Sequence, residues 1–233
     1  MSDDGLIEVR CKGVSRRYAD GTRTITALDG FTDTFHSGET VAVTGPSGSG
    51  KSTLLGLLAA LDYADDGTIH LGETELGSLS TVEQTQLRAE RISYLGSEHN
   101  LLPILSVYEN ISLALSLKRL AEAEIDRRIR ENLRRVDLWD LAYRRPAELS
   151  SGERARAAIA RALASDNPVL IADEPTAHLD AEDAERIARL LAAAASDGRH
   201  LVIFATHDPV VASYADRTVR LRSDARSPER GSA

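Results

Sequence analysis

Residues Gly45, Pro46, Ser47, Gly48, Ser49, Gly50, Lys51, Ser52 and Thr53 follow the spacing G-x-x-x-x-G-K-[ST], with a lysine and a hydroxyl directly after a glycine-rich turn. That combination binds phosphate. Glycines let successive backbone N–H groups converge on one point, and a helix beginning there adds the positive end of its dipole. Lys51 would then reach the β- and γ-phosphates of a nucleotide, and the Ser52 hydroxyl would join a Mg²⁺ coordination shell. A second set of groups closes the apolar run Pro168-Val169-Leu170-Ile171-Ala172, which ends in Asp173 and Glu174. A buried parallel strand reads this way, and open α/β sheets place their ligands beyond the C-terminal ends of such strands. Asp173 facing the metal leaves Glu174 to orient and deprotonate an attacking water.

His207 follows another apolar run, Leu201-Val202-Ile203-Phe204-Ala205. A lone histidine past a strand end reads most simply as a satisfied polar residue, but its place level with Asp173 and Glu174 favours a γ-phosphate contact. Ser150 precedes Glu153 by three residues, the spacing of a capping box at a helix start. The small residues Ser151 and Gly152 at that positive helix end also suit an anion.

The elements that must hold these groups follow from periodicity. Residues 41–43 read as a buried strand entering the glycine-rich loop, and 54–61 as a helix leaving it. Residues 7–10 alternate like a short strand, and Tyr18, just before the turn at 19–21, reads on its own as a half-buried strand tyrosine. Residues 68–71 read as an edge strand, and 81–91 as a helix capped by Thr81. From about 87 to 164 the pattern is mostly helical, which places an inserted subdomain there. Within it Ile125, Ile129, Leu133 and Val136 share one face opposite a charged one. The loop 97–105 carries Leu101, Leu102 and Pro103, which either fold over the core or meet a partner. Residues 181–195 read as a helix, 218–221 as a last strand, and 223–233 as a disordered tail, leaving a single domain over 1–222.

The 233 residues suffice for one large domain with its own core. A net charge of −8 argues against a nucleic-acid partner, whose usual footprint is basic. The single cysteine, Cys11, permits neither an intrachain disulfide nor a thiolate metal site and fits a reducing compartment. The acidic N-terminus lacks the pattern of a secretion signal, and no apolar run approaches the ~20 residues that span a bilayer. Attachment to a membrane would therefore depend on another protein.

With the loop at 45–53, the helix start at Ser150 and Gly152, the acids 173–174 and His207 in that order, the chain resembles the ATP-binding cassette family of transporter ATPases. The resemblance runs from about residue 7 to 221. Asn100-Leu101-Leu102-Pro103, Arg145-Pro146-Ala147-Glu148-Leu149 and Ala172-Asp173-Glu174-Pro175-Thr176 look most like its lipoprotein-release and macrolide-export branch. The resemblance implies an α/β fold, a P-loop NTPase core with a mixed sheet and an inserted α-helical subdomain. It implies ATP and Mg²⁺ as cofactors, with Tyr18 stacked on adenine, residues 45–53 on the phosphates, Ser52 and Asp173 on the metal, Glu174 as general base and His207 on the γ-phosphate. Ser150 and Gly152 would complete the site of an opposite subunit in a homodimer or heterodimer, and 177–180 resembles the loop that crosses between subunits. An integral membrane permease is the implied partner, and the cytoplasmic face of the cell membrane the implied location. The work done there is transport, force transmission without translocation, or, at low activity, nucleotide-dependent scaffolding. Ser97 stands where the family carries a glutamine, and Ser151 where it carries a glycine.

Overall fold

The computed structural model describes residues 6–21 and 23–222. The chain opens with the long strands β1 (Glu8–Asp20) and β2 (Arg23–His36) and enters β3 (Thr40–Thr44), which leads through the glycine-rich loop into α1 (Lys51–Leu58). β4 (Asp66–Leu71) and β5 (Thr74–Glu75) precede α2 (Thr81–Arg91) and β6 (Ile92–Leu95). Helices α3 (Val107–Ser116), α4 (Glu122–Arg135) and α5 (Ser151–Ala164) follow. The chain then alternates through β7 (Val169–Asp173), α6 (Ala181–Ala195), β8 (Leu201–Ala205), the short α7 (Pro209–Ala212) and β9 (Arg217–Arg220).

The mixed strand directions expected of the core are divided between two sheets. The order β6-β7-β8-β3-β9 is parallel throughout, and the order β2-β1-β4-β5 is antiparallel. Every residue of β7 and β8 is buried, as continuous apolar runs in a doubly covered sheet must be. Successive side chains point to opposite faces. Leu170, Ala172, Val202 and Phe204 pack with Ile111, Ile129, Ile159 and Ile187 of the helices on one face. Val169, Ile171, Leu201 and Ile203 pack with Leu54 and Leu55 of α1 and with Val9 and Phe35 of the antiparallel sheet on the other.

Several local expectations are corrected. β1 extends well beyond 7–10, and its partner β2 has no counterpart in the sequence reading because only Leu28 and Phe35 along it are buried. β4 is not an edge strand, since it lies between β1 and β5. The cap of α2 is Ser80 rather than Thr81: the Ser80 hydroxyl accepts from the Glu83 N–H, and the Glu83 carboxylate accepts from the Ser80 N–H at 2.8 Å. Within 87–164, residues 92–95 form β6 and pair with β7, so that piece belongs to the core sheet and the helical excursion is α3 to α5. The expected tail at 223–233 and the acidic start lie outside the described residues. Among the described residues no helix is long and apolar enough to cross a membrane.

The strand register positions the chemistry. Val43 of β3 pairs with Ala205 of β8, and Ala205 pairs with Asp173 of β7. The glycine-rich loop, the acids and His207 therefore leave the sheet side by side. The antiparallel sheet is keyed to the same place by a bulge, because Ala27 stands unpaired opposite the Arg16–Arg17 step. Its carbonyl presses on Gly50, where a Cβ would lie 2.1 Å from the oxygen and φ is +89°, so only glycine fits there.

Candidate functional site

The glycine-rich loop leaves β3 and ends on Gly50, the N-cap of α1, which offers no side-chain acceptor to the first N–H groups of the helix. Those donors are free to meet an anion. Pro46, Ser47, Gly48 and Ser52 are exposed, Gly45, Gly50 and Thr53 partly so, while Ser49 and Lys51 are buried. Lys51 Nζ donates to the Gly45 carbonyl at 3.0 Å and the Pro46 carbonyl at 3.3 Å, and lies 3.5 Å from Glu174 Oε1.

Asp173 ends β7 with 7% of its surface exposed, and its Oδ1 has no hydrogen-bond partner among the described residues. Burial pushes its carboxyl above the usual range, and the like charge of Glu174 adds to that, against opposing pulls from the Ser52 hydroxyl and Lys51. A buried carboxylate oxygen without a partner, facing a hydroxyl, is an oxygen donor set that fits a hard cation such as Mg²⁺. Glu174 takes a left-handed backbone (φ +48°), which turns its carboxylate toward Lys51 on one side and His207 on the other. His207 Nδ1 lies 3.0 Å from Glu174 Oε2, and the ring is otherwise exposed. Lys51, Asp173, Glu174 and His207 thus meet in one chain.

Ser150 and Gly152 do not join them. The capping box forms as expected, with the Glu153 carboxylate accepting from the Ser150 N–H at 2.7 Å and the Ser150 hydroxyl accepting from the Glu153 N–H at 3.2 Å. α5 packs chiefly on α3, α4, α6 and β6, whereas α1 packs chiefly on β2, β7 and β8, so the two helix starts are held by different neighbours. Two residues that the sequence reading missed hold it. Asp183, whose N–H donates to the Asp180 cap of α6, receives Arg156 of α5 at 2.8 Å. A Cβ on Gly152 would fall 1.8 Å from Asp183 Oδ2. Arg156 is one of three arginines in α5 and nothing local singles it out, but of the three it is the buried one.

Tyr18 lies near the end of β1 with 38% of its surface exposed, in line with a partly buried strand tyrosine, and its hydroxyl donates to Asp62 at 2.8 Å. Ser97 and Glu98 are exposed on the loop after β6, while His99 beside them is buried with an unpartnered Nδ1. Burial, then Arg154 and His178, hold His99 below the usual imidazole range. Arg161 donates to the His99 and Asn100 carbonyls, both of which belong to left-handed residues. Leu101 packs on the core, but Leu102 is exposed and lines a groove with Leu113 and Leu117.

The sequence pattern of the ABC transporter family matches residues 28–177. The lipoprotein-releasing system ATP-binding protein LolD of Nitrobacter hamburgensis is 39% identical over 210 residues, 90% of each chain. The macrolide export ATP-binding/permease protein MacB of Burkholderia lata is 35% identical over 91% of this chain, which spans 31% of that longer protein. Among solved structures, the dimeric MJ0796, a bacterial ABC transporter cassette, superposes with a TM-score of 0.86 at 34% identity, covering 92% of this chain and 94% of that one. Its dimeric post-hydrolysis state bound to ADP and Pi gives 0.85 at 35% identity. Fold, strand-end geometry and likeness along nine-tenths of the chain agree: this protein belongs to the ABC transporter family, as an ATP-binding, ATP-hydrolysing subunit related to LolD and MacB.

Proposed function

We propose that the strand ends at Val43, Asp173 and Ala205 organise one half of an ATP-hydrolysing site in this transporter subunit. The backbone of 45–53 and Lys51 hold the phosphates, Ser52 and Asp173 hold Mg²⁺, and Tyr18 stacks on the adenine. Glu174 takes a proton from the attacking water at its carboxylate, and His207, already against that carboxylate, contacts the γ-phosphate. Mg²⁺ held by Ser52 and Asp173 would supply positive charge to offset that of the phosphates. The observation that carries the reading is the register of β7, β8 and β3, which brings Glu174 within reach of both Lys51 and His207.

The start of α5, with Ser150 exposed and Gly152 packed beneath it, rests on neighbours other than those of α1, which supports a sandwich in which it caps the nucleotide of a second ATPase subunit. The leucine-lined groove beside Leu102 supports docking of an integral membrane permease, which would hold this subunit at the cytoplasmic face of the cell membrane. The ATPase domain is taken as residues 1–222, with the helical subdomain inside 87–164 apart from β6. Phosphate release measured with Mg²⁺ and with EDTA, across protein concentration, tests the whole arrangement. Metal-dependent hydrolysis whose specific rate rises with concentration is the expected result; a rate per chain independent of concentration in a monomeric protein overturns the shared site.

A further inference from the structure

We propose that Arg16 and Asp62 are positioning residues for the nucleotide base, holding the Tyr18 ring as a fixed plate with one face left for the adenine. The inference rests on the reading of Tyr18 as the base-stacking side chain. The Arg16 guanidinium lies over the Tyr18 ring, 4.7 Å from its centre. Its fork grips Asp62 twice, Nε to Oδ2 at 3.0 Å and Nη2 to Oδ1 at 2.7 Å, and Nη1 reaches Asp65 at 3.1 Å. The Tyr18 hydroxyl donates to the same Asp62 at 2.8 Å, and the Tyr63 N–H supports that carboxylate at 2.8 Å. Ring, cation and carboxylate therefore close a three-membered loop of contacts.

Each contact removes a degree of freedom. The two-point fork fixes the plane of the guanidinium, the cation covers one face of the ring, and the hydroxyl bond fixes the ring's rotation. Tyr18 nevertheless keeps 38% of its surface exposed, so the clamp does not bury the plate. A ring already ordered loses little side-chain freedom when a base stacks on it. Asp62 sits just beyond α1, the helix that starts at the phosphate loop, and Ala27 meets Gly50 at the other end of that helix. The hairpin carrying Tyr18 is thereby fixed to both ends of α1, which sets the distance from base plate to phosphate cradle. Partial burial alone would raise the Asp62 carboxyl, but the Tyr18 hydroxyl, the Tyr63 amide and Arg16 hold it below the usual range. The plainer account is a surface ion pair that merely steadies a hairpin.

The two accounts differ in which part of the nucleotide they affect. Full-length Arg16→Met, Asp62→Ala and Tyr18→Ala are titrated calorimetrically with MgATP and with magnesium tripolyphosphate, which has the phosphates and no base. The clamp predicts that Arg16→Met and Asp62→Ala each weaken ATP about fivefold, leave tripolyphosphate within about twofold, and add little to Tyr18→Ala in double variants. If Tyr18→Ala loses ATP selectively while Arg16→Met and Asp62→Ala bind it as the unaltered protein does, the clamp is wrong and the base-stacking reading stands. If Tyr18→Ala binds ATP normally, both fall. Equal losses for ATP and tripolyphosphate in Arg16→Met and Asp62→Ala would show a general effect on the fold and overturn the positioning role.

Discussion

The ammonium of Lys51 and the carboxylate of Glu174 lie 3.5 Å apart, although the roles proposed for them differ, one toward phosphate and the other toward water. Lys51 is also tied to the Gly45 and Pro46 carbonyls, and Glu174 to His207. The Lys51 ammonium and the Glu174 carboxylate are thus matched by neighbours, while the first N–H groups of α1 have no side-chain acceptor. Both side chains are largely shielded from water, where an unpaired charge would be costly, and each has the other as a partner.

Replacing Glu174 by Gln keeps the side-chain shape and the hydrogen bond to His207 while removing the base and releasing Lys51. ATP binding should be retained or tightened, and turnover should fall by roughly 10²- to 10⁴-fold, the range for a lost general base. The ATP-bound dimer should then persist long enough to sediment as a dimer. Phosphate release at an unimpaired rate would remove Glu174 from the mechanism.

Asp173 leads to a pH prediction. Its carboxyl is raised in the folded chain, chiefly by burial, so the folded state holds its proton more tightly than the unfolded state does. The favourable contribution is full below the unfolded value and is lost as pH rises through the folded one; at neutral pH the ionised, partly unpaired carboxylate weighs against folding. Asp173→Asn should therefore melt higher than the unaltered protein at pH 7 without nucleotide, by roughly 2–4 °C if the relief is about 1 kcal/mol in a chain this size. The gap should close toward pH 4, and Mg²⁺-dependent hydrolysis should be lost at every pH. Equal melting temperatures at pH 7 would mean that the carboxylate finds compensation in the folded state.

The parts of this site that are local in sequence were legible there, and the parts made by distant contacts were not. The glycine-rich loop, the runs before Asp173 and His207, and the helix over 181–195 carry their signals within a few residues, because buried parallel strands and capped helices impose composition directly. β2 escaped because it is mostly exposed and a bulge at Ala27 breaks its period. Ser80 displaced Thr81 as cap because one position along brought Glu83 to the reciprocal spacing. β6 was absorbed into a helical stretch since four residues are too few to show a period. The Asp62–Tyr18 and Asp183–Arg156 contacts join residues far apart in the chain, and no local pattern encodes such a pair.

The Asp183 carboxylate fills the space where a Gly152 side chain would stand. Gly152→Ala should push Asp183 off Arg156, whose side chain is 11% exposed, and cost about 1–3 kcal/mol of stability by overpacking. ATP-dependent dimerisation should weaken with it, because Ser150 and Gly152 share the same helix turn. Asp183→Ala alone strands Arg156 and should also destabilise, but combined with Gly152→Ala it makes room for the methyl. Denaturant midpoints of the single and double variants decide the matter: a double variant whose loss equals the sum of the singles would rule out the steric coupling.

The groove beside α3 supplies the last prediction, and here the leucines of the loop part company. Leu101 packs against the helical core, whereas Leu102, Leu113 and Leu117 keep 43%, 49% and 66% of their surface exposed. Leucine left in water gives up roughly 1.5–3 kcal/mol relative to burial, and a cluster of them along one groove marks an interface better than scattered ones do. Changing Leu102, Leu113 and Leu117 together to Ser should abolish stimulation of hydrolysis by a reconstituted membrane permease. It should leave the basal rate and the melting temperature of the isolated subunit within experimental error. Leu101→Ser should do the reverse, lowering the melting temperature by several degrees through loss of core packing. A triple variant that melts as low as Leu101→Ser would return all these leucines to the core, and one that the permease still stimulates would move the docking surface elsewhere.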